Sequence, residues 1–174
     1  MLPSAPELAH GQREPRVVVS DAGPLISLGR LDLLGILGEL FGEVQVPNVV
    51  IDECLARRNN IDAQRIQLAI AGGLLLRCSA SSTLIPGLEA GESAAIARAA
   101  EIGATLLMDE RAGRVHALAI GLKVTGTLGV LIRARRRALI GPLAPLLAAL
   151  RASGQRLSDA VVRHALNEVG EAPD

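Results

Sequence analysis

Two patterns of apolar residues alternate along the chain and divide it into predicted strands and helices. Short runs rich in β-branched and aliphatic residues are typical of buried strands, and the longer segments between them carry apolar side chains at helical spacing. The predicted strands cover residues 17–19, 43–46, 74–77, 105–108 and 122–125. The predicted helices cover residues 24–40, as one bent helix or two short ones, and then 47–55, 61–71, 92–101, 111–120, 126–137, 143–151 and 158–169.

This alternation predicts an α/β fold. Strands separated by helices form right-handed βαβ units, so we expect a mostly parallel central sheet with helices on both of its faces. No linker is long enough to divide the chain, and residues 16–174 are therefore predicted to form a single domain. Residues 1–15 are polar and contain proline, which predicts a flexible N-terminal extension.

The composition limits which partners the protein is expected to bind and where in the cell it is expected to be. The chain carries 18 basic and 18 acidic side chains, so no overall charge draws it to nucleic acid. Phe41 is the only aromatic residue, which argues against recognition of bases by stacking on aromatic rings. Cys54 and Cys78 lack a CxxC spacing, and neither a signal peptide nor an apolar stretch long enough to cross a bilayer is found. These features predict a cytoplasmic protein.

Acidic residues follow two of the predicted strands. Asp21 comes directly after the first strand and Asp109 after the fourth. Because the carboxyl ends of parallel strands meet at one edge of a sheet, we expect the two aspartates at the same edge, where open α/β sheets bind their ligands. Glu53 and Glu92, on the helices that begin near Pro47 and after Gly91, can add acids to that edge.

Each of these acids also has an ordinary structural interpretation. Asp21 and Asp109 are suited to cap the helices that follow them, and an exposed helical Glu such as Glu53 is commonplace. Glu92 competes with Glu89, three residues earlier, and either is favourably placed near a helix N-terminus.

Converging carboxylates point to a divalent cation. They repel one another unless a cation compensates, and hard oxygen ligands suit Mg²⁺ or Mn²⁺. Such a site permits metal-assisted hydrolysis of phosphodiester bonds. Other kinds of catalytic or nucleotide-binding site are not indicated. The sequence has no Asp-x-Asp motif, no GxxxxGK[ST] or GxGxxG loop, and no nucleophile motif near a histidine.

Five motifs in order resemble the PIN domain family, and most closely its VapC-like toxin branch, whose members are often described only as PIN-like domains of unknown function. They are Ser20-Asp21-Ala-Gly-Pro-Leu-Ile, Val46-Pro47 with Glu53, Ala90-Gly-Glu92-Ser-Ala-Ala-Ile, Leu106-Leu-Met-Asp109-Glu-Arg111 and Val124-Thr-Gly-Thr127-Leu-Gly129-Val-Leu. The resemblance covers about Val17 to Leu150. It implies a three-layer α/β/α fold, Mg²⁺- or Mn²⁺-dependent ribonuclease activity on RNA, and a homodimer neutralised by a cognate antitoxin.

The acidic positions of the family match Asp21, Glu53, Glu92 and Asp109, which the resemblance implies are the catalytic metal ligands. Two departures keep a second hypothesis open, a PIN-like module that binds RNA or protein without catalysis. The third acid of many VapC-like enzymes lies nearer the position of Ser93, and their acid-rich run after the fourth strand is reduced here to Asp109 and Glu110. A third hypothesis is a phosphohydrolase acting on small molecules.

Three further residues are candidates for substrate binding. Thr127 either caps a helix or binds a metal-bound water or a substrate phosphate. Arg111 and Arg114 either contact phosphate or are ordinary exposed helical arginines. A run of four arginines at 133 and 135–137 is predicted to be a solvated or partner-facing surface that adds local affinity for RNA.

Overall fold

The apolar runs form one sheet in which every strand is parallel to its neighbours. The computed structural model describes residues 17–172. Within that range the strands are β1 (Val17–Ser20), β2 (Glu43–Pro47), β3 (Leu75–Cys78), β4 (Thr105–Leu107) and β5 (Val124–Thr125). The helices are α1 (Ala22–Arg30), α2 (Gly35–Phe41), α3 (Asn48–Leu55), α4 (Ile61–Ala71), α5 (Ala90–Ile102), α6 (Arg111–Ala119), α7 (Thr127–Arg136), α8 (Leu143–Ala152) and α9 (Asp159–Glu168).

The strand order places a topological switch point in the middle of the sheet. The order is β3-β2-β1-β4-β5, so the chain runs outward from β1 to β3 and then returns to add β4 on the other side of β1. The connection that follows β1 therefore leads toward β2 on one side, and the connection that follows β4 leads toward β5 on the other. Their carboxyl ends border the crevice in which open α/β sheets bind ligands.

Neighbouring residues of the strands point to two separate apolar cores, as the pleat of a strand requires. Val18 and Leu107 face the larger core, which α1 to α4 and α7 to α9 cover, whereas Val19 and Leu106 face a smaller core under α5 and α6. The three-layer α/β fold expected from the sequence is confirmed, and the sheet is parallel throughout.

The predicted helix over residues 24–40 is two short helices. The chain breaks between α1 and α2, where Asp32 adopts a left-handed backbone conformation with φ of 60°. Just before the break, α1 packs closely on α4: a Cβ on Gly29 would lie 3.2 Å from the Cα and the Cβ of Asp62. Other boundaries shift by one or two residues: Pro47, for example, ends β2 instead of opening the next helix, and α5 begins at Ala90, before Glu92.

No helix in the described part of the chain is long and apolar enough to cross a membrane. The cytoplasmic location stays a prediction. The extension predicted for residues 1–15 lies outside the described residues.

Candidate active site

Asp21 lies at the switch point between β1 and β4. Its backbone N–H donates to the carbonyl oxygen of Leu107 at 2.9 Å, which extends the pairing of the two strands to the edge of the sheet. Asp21 is the N-cap residue of α1, yet its side chain forms no capping hydrogen bond. The carboxylate, on a residue that is only 6% exposed, lies near the first N–H groups of α1 without making a cap of good geometry.

Burial makes the Asp21 carboxylate difficult to ionise. Burial raises the pKa of Asp21 from 3.8 to about 7, and the N–H groups of Ala22 and Gly23 offset this only in part, while the charges of Glu53 and Glu92 raise it further. Asp21 forms no ion pair with any residue in the range 17–172. A bound cation would supply the compensation that no side chain in the described part of the chain provides.

Glu53 reaches the same place from α3. A Cβ built on Gly91 would lie 2.8 Å from Glu53 Oε2, 3.5 Å from Val50 Cγ2 and 3.7 Å from Asp21 Oδ1. Val50 and Glu53 thus share one face of α3, and that face meets the first turn of α5 beside Asp21. Glu53 is exposed as a whole residue, but burial of its carboxyl group raises its pKa, and the charges of Glu89 and Glu92 add to the increase.

The structure brings both Glu89 and Glu92 near Glu53. Glu92 is half-buried in the first turn of α5, where its carboxylate accepts a hydrogen bond at 3.1 Å from the N–H of Glu89, the N-cap residue. Part of the function of Glu92 is therefore structural, since this bond satisfies an N–H at the start of the helix. Glu89 is the more exposed of the two.

Asp109 is held by the start of α7. Its Oδ1 accepts from the Thr127 N–H at 2.7 Å, and its Oδ2 accepts from the Thr127 hydroxyl at 2.6 Å. A Cβ on Gly23, in the first turn of α1, would lie 3.5 Å from Asp109 Oδ2. Asp109 thus lies against α1, the helix that follows Asp21. A carboxylate offers four lone-pair positions, so both oxygens remain able to bind a cation.

The capping interpretations of Asp109 and Thr127 are wrong in detail. Glu110 is the N-cap residue of the following helix α6, and Asp109 contacts α7 instead. Gly126, not Thr127, is the N-cap residue of α7. The Thr127 hydroxyl, on a residue that is 1% exposed, donates to Asp109 and so fixes that carboxylate.

The two candidate arginines lie in different environments. Arg114 is half-buried, and its Nη1 donates at 2.8 Å to the carbonyl oxygen of Met108, just before Asp109. It therefore supports the backbone that carries the aspartate. Arg111 is exposed and lines a cavity of about 700 Å³ together with His116 and residues before α5.

The arginine run at the end of α7 is mostly engaged within the chain. Arg135 pairs with Glu171 at 2.8 Å, and Arg136 pairs with Glu168 at 2.6 Å. The Arg133 guanidinium lies over the Phe41 ring, 5.4 Å from its centroid. Three of the four arginines are nevertheless exposed, so the run is a solvated surface whose charge is partly paired within the chain. Its affinity for RNA stays a prediction.

Two glycines at the site were not singled out from the sequence. A Cβ on Gly91 would crowd the Glu53 carboxylate beside Asp21, as described above, and a Cβ on Gly126 would lie 2.6 Å from Asp109 Oδ1. The available signal was that each glycine directly precedes a candidate residue, Glu92 or Thr127.

The donor set fits a hydrated divalent cation. Among residues 17–172 no three His, Cys, Asp or Glu side chains are grouped closely enough to enclose a metal ion. Mg²⁺ does not require such a cage, because it usually keeps several waters and binds through one or two carboxylates. Asp21 is buried beside Glu53, has no Arg or Lys partner among residues 17–172, and shares its edge of the sheet with Asp109, so the site meets that requirement. The assignment of the four acids as ligands stays a prediction.

Comparison with known proteins gives a family. The model of the PIN domain (DUF3368) matches residues 17–171. No curated protein sequence matches the chain. The similar solved structures include a PilT N-terminus domain protein from the archaeon Sulfolobus solfataricus, with a TM-score of 0.48 and 17% identity over 82% of this chain and 97% of that chain.

Proposed function

The chain belongs to the PIN domain family, and from this we propose that it is a metal-dependent endoribonuclease that hydrolyses RNA phosphodiester bonds. PIN domains are commonly nucleases and typically bind divalent metals. The observation that carries the proposal is the Asp21 carboxylate, which is buried at the switch point beside Glu53 and has no Arg or Lys partner among residues 17–172. Asp109 follows the neighbouring parallel strand at the same edge of the sheet. A buried carboxylate in a crevice, whose pKa burial raises to about 7 beside other acids, is typical of functional sites.

Asp21 and Asp109 would hold Mg²⁺ or Mn²⁺, and Glu53 and Glu92 would complete the set. When bound, the ion lowers the pKa of a water and stabilises charge on phosphate oxygens. Thr127 keeps the Asp109 carboxylate in one orientation through two hydrogen bonds. Arg114 fixes the backbone at Met108. The exposed Arg111 would bind a substrate phosphate.

The proposal extends to partners through the resemblance of the five motifs to VapC-like toxins. The protein would act as the toxin of a toxin–antitoxin pair, be neutralised by a cognate antitoxin and form a homodimer. An exposed apolar face on α6 supports the homodimer, because contiguous apolar surface on a soluble domain commonly marks an interface.

A second candidate is a PIN-like module that binds RNA or protein without catalysis. The engagement of Glu92 in the first turn of α5 favours it, because that hydrogen bond gives the carboxylate a structural role that requires no metal. The two candidates differ in metal binding. Only the enzyme requires a divalent cation at Asp21, which stabilises the folded protein by mass action.

The experiment compares wild type with Asp21→Asn and with Asp52→Asn, an exposed acid on the same helix as Glu53. Wild type and Asp52→Asn should cleave single-stranded RNA with Mn²⁺ and be stabilised by it. Asp21→Asn should lose more than about a hundredfold in cleavage, since even indirect partners of a metal contribute 10–100-fold. Equal cleavage by Asp21→Asn would sink the assignment.

The same assay separates the alternatives. Stabilisation by Mn²⁺ with hydrolysis of a nucleoside monophosphate, but not of RNA, would indicate a small-molecule phosphohydrolase. RNA binding with no response to Mn²⁺ would indicate the non-catalytic module.

A further inference from the structure

Gly91 lies where α3, α5 and β1 bring two carboxylates together. A Cβ at this buried position would lie 2.8 Å from Glu53 Oε2, closer than real Cβ atoms come to a neighbour. The corresponding distances to Val50 Cγ2 and Asp21 Oδ1, 3.5 and 3.7 Å, are ordinary contacts. The Glu53 carboxylate thus occupies space that any other residue at position 91 would take.

We propose that Gly91 is a positioning residue of the acidic centre: by lacking a side chain, it lets the Glu53 carboxylate lie beside Asp21, so that both bind one divalent cation. This inference rests on the proposed metal-dependent function. It explains why Glu53, an exposed residue on the second turn of α3, is directed to the site instead of to solvent. Two carboxylates held close together without a cation repel, and a divalent cation reverses the sign of that interaction.

The role of Gly91 can be tested with alanine, because the backbone of position 91 accepts alanine and only the Glu53 carboxylate would have to move. The backbone of Gly91 is not in the left-handed region, and alanine forms helices better than glycine. The atom that a Cβ would displace is the end of a flexible, exposed side chain. We therefore expect Gly91→Ala to fold and to turn the Glu53 carboxylate away from Asp21.

The experiment measures Mn²⁺ affinity from the rise of the thermal unfolding midpoint with metal concentration, and RNA cleavage in parallel. Gly91→Ala should bind Mn²⁺ about 10–100-fold more weakly than wild type, the loss typical of residues that orient metal ligands. The matched control is Gly35→Ala in the first turn of α2, where a Cβ would meet nothing within 4 Å. That variant should bind Mn²⁺ as wild type does.

A second background tests whether Gly91 acts through Glu53. The shorter side chain of Glu53→Asp does not reach the space of a Cβ at position 91, so adding Gly91→Ala to it should change Mn²⁺ affinity less than about twofold, a non-additive result. If Gly91→Ala alone does not fold, recovery of folding and binding in this double variant supports the inference.

The following results overturn the inference: wild-type affinity in Gly91→Ala, an equal loss in both backgrounds, or no folding in either. A wild-type protein that shows no response to Mn²⁺ overturns the proposed function, and the inference with it. A responsive wild type with an equally responsive Gly91→Ala overturns the inference alone.

Discussion

At the scale of single residues, the two aspartates of the site differ in the groups that surround their carboxylates. Asp21 is buried beside other acids and forms no ion pair within the described residues. Asp109 instead receives two hydrogen bonds from Thr127, one of them from a backbone N–H. The two aspartates therefore differ in environment: burial raises the pKa of Asp21 to about 7, whereas two hydrogen bonds hold the Asp109 carboxylate in place.

The raised pKa of Asp21 predicts a dependence of stability on pH. The folded protein, with a pKa of about 7, keeps a proton that the unfolded chain releases near 3.8. Its contribution, of roughly 4 kcal/mol, is therefore fully present below the unfolded pKa and is lost as pH rises through the folded one. Urea unfolding without metal between about pH 5 and pH 8 should show the free energy of unfolding falling, and the fall should shrink in Asp21→Asn. The same slope in both proteins would contradict this.

Thr127→Val tests the support of Asp109. Valine keeps the shape of threonine but removes the hydroxyl that donates to Asp109 Oδ2 at 2.6 Å. We expect a loss of about 1.5–3 kcal/mol in the free energy of unfolding and of about 10–100-fold in Mn²⁺ affinity. Thr105→Val, at the opposite end of β4, is the control and should leave Mn²⁺ affinity unchanged. Unchanged affinity in Thr127→Val would show that the backbone N–H alone holds Asp109.

At the scale of elements, the Glu171 carboxylate, which follows α9, links the start of α8 to Arg135 on α7. Pro142 precedes α8 and gives it no side-chain cap. Glu171 supplies one from 28 residues away, accepting from Leu143 N–H at 2.8 Å and from Ala144 N–H at 3.1 Å. Burial raises the pKa of Glu171, but these bonds and the Arg135 guanidinium outweigh that effect, and the net pKa is lowered.

Glu171→Ala should therefore destabilise α8 and α9 without affecting the acidic centre. Loss of a helix cap is expected to cost about 0.5–2 kcal/mol in the free energy of unfolding. Glu168→Ala, which removes the more exposed pair with Arg136, should cost about 0–1 kcal/mol. Chemical denaturation gives both values, and Mn²⁺ affinity should be that of wild type. Equal costs for the two variants would refute the capping role.

At the scale of the whole molecule, α6 presents an apolar surface outward. Val115 is 61% exposed and Leu118 is 56% exposed, and Ile120 follows directly after the helix at 52%. The inner side of α6 packs on the smaller core through Ala117. The outer side is therefore the surface that we assign to the proposed homodimer, in which a two-fold axis would bring the same residues together.

Leu118→Glu tests that surface. A charge in the middle of an apolar interface is costly to bury, so the variant should be monomeric at concentrations where wild type is dimeric. Leu68→Glu, at a leucine 70% exposed on α4, is the matched control and should stay dimeric. Light scattering coupled to gel filtration gives both masses. A monomeric wild type would rule out the homodimer, and a dimer lost only in the control would move the interface to α4.

The sequence by itself determined the elements and the edge of the sheet on which the aspartates lie. Apolar periodicity records which side of each segment is buried, and this is a local property of the chain. Because βαβ units make neighbouring strands parallel, acids after two strands necessarily lie at one edge. The shared location of Asp21 and Asp109 could therefore be predicted from the order of strands and helices alone.

Only the tertiary structure decided which groups meet at that edge. The order of strands places β4 beside β1, packing of α3 on α5 places Glu53 against Gly91, and the start of α7 brings Thr127 to Asp109. The depth at which Asp21 is buried, and hence its raised pKa, depends on all of these contacts. None has a local signature, because the distance between residues far apart in the chain is set by the packing of whole elements.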